Sequence, residues 1–185
     1  MIAPEYVAEF SKRIGRDAAS VRVADRALAD AGLRNKAIGK RLPDIQLTEG
    51  VLLLLALMSG QPKSRAAESA LELSEFKVQD GENLASLAAL LGVKKSELVQ
   101  ISLLDAICRI CACLPPKRDK NKTQVVEIEV EEGGFATVRI ETETHDGKIM
   151  FSGRGSRANS PVFREIRIVS DQVLRWIGQN AKGDS

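Results

Sequence analysis

The chain has 185 residues, 44% of them hydrophobic, enough for one large or two small packed domains. Its longest apolar stretch, Val51 to Met58, falls far short of the roughly 20 residues a bilayer-spanning helix needs, so no membrane partner is expected. The formal charge of +2 is unevenly spread: residues 1–45 hold nine Lys/Arg against six Asp/Glu, and the other 140 residues hold 18 against 19.

Pro4 suits the first turn of a helix, and Tyr6, Val7, Phe10 and Ile14 repeat at helical spacing until Gly15, which predicts a helix over 4–14. After the Gly15-Arg16 turn, Asp17 can cap a second helix over 18–31, with Val21, Ala24, Leu28 and Ala31 on its apolar side and Gly32 as the left-handed exit. The stretch from Arg34 to Asp44 is polar, basic and broken by Gly39 and Pro43, so it reads as a loop or short hairpin. Thr48 is the expected N-cap of a buried helix over 50–59, and Ser64 to Phe76 has the pattern of an amphipathic helix that ends before an Asp80-Gly81 break. One or two further helices fill 82–114, broken near Gly92 and stopped by Pro115-Pro116.

Residues 116–122 read as a linker, beyond which the composition changes. Val126, Ile128 and Val130 alternate with Glu127, Glu129 and Glu131, the period of a strand with one wet face. Gly133-Gly134 and His145-Asp146-Gly147 mark turns around strands at 135–142 and 148–152, and 163–169 reads as a fourth strand. Ser170 is expected to cap a last helix with Val173, Leu174 and Ile177 inward and Gly178 at its exit. The expected fold is α+β: a head over 1–47, a helical oligomerisation or core region over 48–115, and an antiparallel β-meander with a final helix over 123–185.

The usual catalytic constellations cannot be assembled, because the chain has one His, no pairing of nucleophile and base, and no phosphate-binding G-x-x-x-x-G-K-[ST] loop. The shared strand face of Glu127, Glu129 and Glu131 reads as a solvated sheet surface rather than paired catalytic carboxylates. Cys108, Cys111 and Cys113 contain one C-x-x-C spacing with no second Cys or His pair, so buried reduced thiols are expected and no metal or cofactor. Glu5 and Glu9 stand where a basic leader would be, and the expected compartment is the cytoplasm.

The chemistry that the sequence does offer is basic. In a helix-turn-helix, one helix braces a second whose residues reach base edges, while basic flanks hold phosphates. Arg16 lies in the turn, and Ser20, Arg22 and Arg26 are read on the side of the second helix opposite Val21 and Leu28. The following loop adds Arg34, Lys36, Lys40 and Arg41. The run Ser20-Val21-Arg22 through Ala29-Asp30-Ala31-Gly32-Leu33 resembles the recognition helix of winged helix-turn-helix regulators, over about a quarter of the chain. That resemblance implies that Ser20, Arg22 and Arg26 read bases and that Lys36, Lys40 and Arg41 sit on a wing against the backbone. It has one departure, Asp25, which stands where such helices place a buried Leu. More loosely, the basic loop running into Thr48 to Met58 resembles bacterial prophage proteins.

Two other stretches carry weaker signals. Leu84 to Leu98 also resembles a helix-turn-helix, with a Leu-Gly-Val turn, but runs on into an apolar helix and reads as a packed hairpin or oligomerisation surface. Gly153-Arg154-Gly155-Ser156-Arg157, with Arg164 and Arg167, forms a second basic cluster that is read as covering a sheet edge. The expectation is a sequence-specific double-stranded DNA-binding protein, not an enzyme: a transcriptional regulator of phage or mobile-element type, a homo-oligomer with a dimer favoured. The alternatives are a small terminase-like DNA-packaging subunit and a protein-interaction or inhibitor module.

Overall fold

The computed structural model describes residues 1–37, 39, 42–114, 125–131, 135–141, 146–153 and 166–182. Two helices come first, α1 (Ala3–Arg13) and α2 (Ala18–Asp30). Pro4 and Glu5 sit in the first turn of α1 and Lys12 and Arg13 in its last, each sign on its favourable end of the helix dipole. Both helices stop in the same way. Gly15 and Gly32 adopt φ of 63° and 76°, which lets the next residue turn back: the Arg16 N–H donates to the Ser11 carbonyl and the Leu33 N–H to the Leu28 carbonyl. The turn at Leu91-Gly92-Val93 repeats that arrangement, with Val93 N–H donating to the Ala88 carbonyl. The Ala-Gly-Leu ending of α2 is thus one instance of a glycine stop that this chain also builds from Ile14-Gly15-Arg16 and Leu91-Gly92-Val93.

Helix α3 (Leu47–Met58) starts three residues before the predicted one, and its cap is Gln46 rather than Thr48. The Glu49 carboxylate accepts the Gln46 N–H at 2.9 Å and the Asn35 N–H at 2.7 Å, so a buried acid fixes both the helix start and the loop beside it. A 3-10 turn at Lys63–Arg65 leads into α4 (Ala66–Ser74). The expected break at Asp80-Gly81 lies instead inside an edge strand, β1 (Lys77–Glu82). Then follow α5 (Leu84–Leu90), α6 (Lys95–Leu98) and α7 (Leu103–Cys113). No single helix runs from Leu98, because the Ser102 hydroxyl accepts the Asp105 N–H and starts α7 afresh.

Strands β2 (Val125–Glu131), β3 (Phe135–Glu141), β4 (Asp146–Ser152) and β5 (Ile166–Ser170) precede α8 (Asp171–Asn180). The sheet has the order β1-β4-β3-β2-β5 with every neighbouring pair antiparallel. Its register aligns Ile128 with Val138 and Val169, and Val138 with Ile149, all buried on one face. On the other face Glu127 is opposite Arg139, and Arg139 opposite Lys148. The architecture is mixed α+β. The linker 116–122, the turns at Gly133-Gly134 and His145, and Arg154, Arg157 and Arg164 lie outside the described residues.

One continuous buried cluster includes α1, α2, α3, α7, the inner sheet face and α8. Its aromatic centre joins the two ends of the chain, with Trp176 of α8 4.7 Å from Tyr6 and 5.8 Å from Phe10, ring centre to ring centre. Gly178 is inside α8 rather than at its exit, and it lets α8 press onto the Cys111 backbone of α7. The loop before α3 is tied to the same end: Leu47 N–H donates to the Lys182 carbonyl, Lys182 N–H to the Ile45 carbonyl, and the Lys182 ammonium lies 2.7 Å from Asp44. Among the described residues, no helix is long and apolar enough to cross a membrane.

Candidate nucleic-acid interface

Helix α2 buries Val21, Ala24, Leu28 and Ala29 against the core and turns Ala19, Arg22, Val23, Arg26 and Asp30 outward. That outward set is one stripe, because steps of three and four residues return to the same side of a helix. Ser20 is not on it. Two residues of helix separate Ser20 from Arg22 by about 160° around the axis. Accordingly, Ser20 lines a cleft with Gly15, Ala56 and Lys63, whereas Arg22 and Arg26 line a groove toward α1. Ser20 also belongs to the helix cap: its N–H and hydroxyl both donate to Asp17, at 2.8 and 3.0 Å, and these bonds hold the Asp17 carboxyl below the usual range.

The basic residues of the head divide by partner. Lys12 pairs with Glu9 at 2.6 Å and Lys36 with Asp30 at 3.0 Å, both at the exposed surface. Arg34 pairs with Asp25 in a clamp with one hydrogen bond, Nη2 donating to Oδ2 at 2.9 Å, and a second ion-pair contact, Nε 2.6 Å from Oδ1, that lacks hydrogen-bond geometry. Only 11% and 13% of these two side chains remain exposed, so the pair is a buried fastener between α2 and the loop. Burial raises the Asp25 carboxyl, Arg34 pulls it down, and nearby Glu49 raises it further. The charge at position 25 is thus met by Arg34 from within the head.

Arg13, Arg16, Arg22 and Arg26 are exposed and have no ion-pair partner among the described residues. Arg22 and Arg26 share the α2 stripe, with Val23 beside them and 47% exposed. Arg13 and Arg16 flank the α1–α2 turn and line one cleft with Leu54, Leu57 and Val173. Arg13 is absent from the set that the sequence suggests, although its place at the end of α1 next to a Gly turn marks it as exposed. Lys40 and Arg41 lie outside the described residues, as does residue 38. Over the described part of 31–46, the bridges formed are isolated ones, Asp44 to Ile2 and Gln46 to Lys182.

Of the three thiols expected to be buried, Cys111 is buried, Cys108 half-buried and Cys113, at the end of α7, exposed; burial together with Cys108 pushes the Cys111 thiol up, away from the reactive thiolate form. In the α5–α6 stretch, Leu87, Ala88, Leu91 and Leu98 are all buried, with Lys94 and Lys95 outside. Comparison with protein-family models, with curated proteins and with solved structures finds no match to this chain.

Proposed function

We propose that this chain is a sequence-specific double-stranded DNA-binding protein of the regulator type, with α2 as its contact helix. The single observation that carries the reading is the outward stripe of α2. Two arginines with no ion-pair partner among the described residues stand one helical turn apart beside an exposed valine, on a helix whose opposite side is anchored in the core. An arginine fork matches the O6 and N7 acceptors of guanine, and an apolar side chain matches a thymine methyl. Arg13 and Arg16 lie beside the turn, where phosphate contacts fix register without reading sequence.

The set of readers is smaller than the one the sequence suggests. Ser20 serves the cap on the far side of α2, Arg34 fastens the loop, and Arg22 and Arg26 are the base-reading pair. A regulator of this kind works as a dimer on a two-fold symmetric site. Selection from a random duplex pool tests the reading. Enrichment of a defined palindromic sequence, lost in an R22A/R26A variant, is the expected result, and no enrichment by the wild type would sink it.

A further inference from the structure

The groove beside Arg22 and Arg26 has the composition of a small-molecule site. A half-open space of 380 Å³ lies between α1, α2 and the loop, within the usual range for ligand pockets. Its apolar wall is formed by Ala3, Pro4 and Val7 of α1, Ala29 of α2, and Leu42 and Pro43 of the loop. Leu42 remains 44% exposed, a large apolar side chain at the groove that nothing among the described residues covers.

The charges resolve in one direction. Among the described residues, the groove is bordered by two acids and four bases. Each acid is matched: Asp25 by Arg34 in the buried clamp, and Asp30 by Lys36 at 3.0 Å. The two bases left over are Arg22 and Arg26, one turn apart on the same wall. A concave apolar surface with two unmatched guanidinium groups complements an apolar body that carries an anionic oxygen headgroup, held by charge-assisted bonds from the arginine forks.

We propose that this groove binds a small organic acid, with its carboxylate between Arg22 and Arg26 and its apolar body against Pro4, Leu42 and Pro43. The inference rests on the DNA-binding reading only for its consequence: the same two arginines serve both partners, so the acid and the duplex exclude one another. Binding of the acid is then a way to release DNA, and the acid acts on the contact helix directly, without a relay through the rest of the fold.

The test titrates the full chain with 4-phenylbutyrate and its uncharged amide, 4-phenylbutyramide, by calorimetry. The acid is expected to bind saturably with a dissociation constant of about 0.1–1 mM, the range open to a ligand of that size, and the amide at least about tenfold more weakly. R22A/R26A should abolish binding. Ala37→Trp, at an exposed loop position lining the groove, should block it while leaving both arginines in place. Absence of saturable binding, equal binding of the amide, or unchanged binding by either variant overturns the proposal. Duplex affinity is measured separately without the acid: a chain that binds the acid but no duplex overturns the DNA reading and leaves the groove assignment standing.

Discussion

The guanidinium of Arg34 closes on the carboxylate of Asp25 across nine residues of chain, with Nε 2.6 Å from Oδ1 and Nη2 2.9 Å from Oδ2. Removing one partner of a buried pair leaves the other charged and desolvated, which costs more than the pair contributes. Arg34→Ala should therefore destabilise the protein by about 3 kcal/mol at neutral pH, reduced somewhat because the site keeps some access to water. The sign with pH follows from the carboxyl. Its folded value is raised, so the folded state holds the Asp25 proton longer than the unfolded chain, and stability falls as pH rises from the unfolded value through the folded one. Without Arg34 that fall should deepen. Urea unfolding of R34A between about pH 4 and pH 7 checks it, and a variant as stable as wild type at neutral pH would show that the clamp contributes nothing.

Tyr6 is fully buried, and its hydroxyl has no hydrogen-bond partner among the described residues, while a Cβ at Gly50 would fall 2.5 Å from that oxygen. An unpaired buried hydroxyl carries a desolvation penalty, so Tyr6→Phe should be neutral or stabilise by up to about 1 kcal/mol. Gly50→Ala should destabilise in the wild type and much less when combined with Tyr6→Phe, where the nearest ring atom, Cζ, is 3.3 Å away. The coupling between the two, from a double-mutant cycle of urea midpoints, should exceed about 0.5 kcal/mol. Strict additivity would place Gly50 elsewhere relative to the ring.

Asp17 caps α2 through the Ser20 N–H and hydroxyl, which hold its carboxyl below the usual range. A depressed folded value means that the cap's contribution is complete above the unfolded carboxyl range and is lost as pH falls through the depressed value. Asp17→Asn keeps an acceptor for the cap and removes the titration. The variant should match wild type near neutrality and lose less stability on acidification to about pH 2, as measured by thermal melts. A parallel acid loss in both proteins would assign that loss to other carboxylates, such as Asp44, which Lys182 holds low.

Much of this fold can be read from the chain, and what escapes does so for physical reasons. Helices α1 and α2 are legible because Asp17, Gly15 and Gly32 are local signals that act within a few residues. Strand β1 is not, because Lys77-Val78-Gln79-Asp80-Gly81-Glu82 has no apolar face to alternate; it pairs with β4 at the edge of the sheet, with a register shift between Val78 and Asp80. The partner of Arg34 is equally hidden, since nothing local couples positions 25 and 34. The separation of Ser20 from Arg22 is legible in principle: a two-residue step on a helix points to nearly opposite sides.

Gly178 sets two opposing effects against each other. On helix propensity, replacing a glycine within α8 by alanine favours the helix by about 0.5–1 kcal/mol. The added methyl, however, would run into the carbonyl of Cys111 on α7, a backbone group that cannot swing aside as a side chain does. Overpacking of this kind costs about 1–3 kcal/mol, more here because backbone must move, so Gly178→Ala should be net destabilising. A lowered urea midpoint with an unchanged slope is the expected outcome, and a raised midpoint would mean that α7 yields to the methyl without cost.

The unpaired arginines at the two ends of the proposed interface should be separable by salt. In the proposed reading Arg22 and Arg26, on the outward stripe of α2, read base edges, and Arg13 and Arg16, flanking the α1–α2 turn, hold phosphate. Removing one phosphate-binding charge makes the slope of log affinity against log salt shallower by about 0.9. R13A/R16A should therefore weaken binding to cognate and random duplexes alike and flatten that slope by roughly 2. R22A/R26A should act mainly on the cognate sequence, costing about 1–3 kcal/mol of discrimination per arginine. Fluorescence anisotropy at several salt concentrations with both duplexes distinguishes the two. If R13A/R16A abolished discrimination while R22A/R26A changed only the salt dependence, the contact helix would have to be reassigned from α2 to the end of α1.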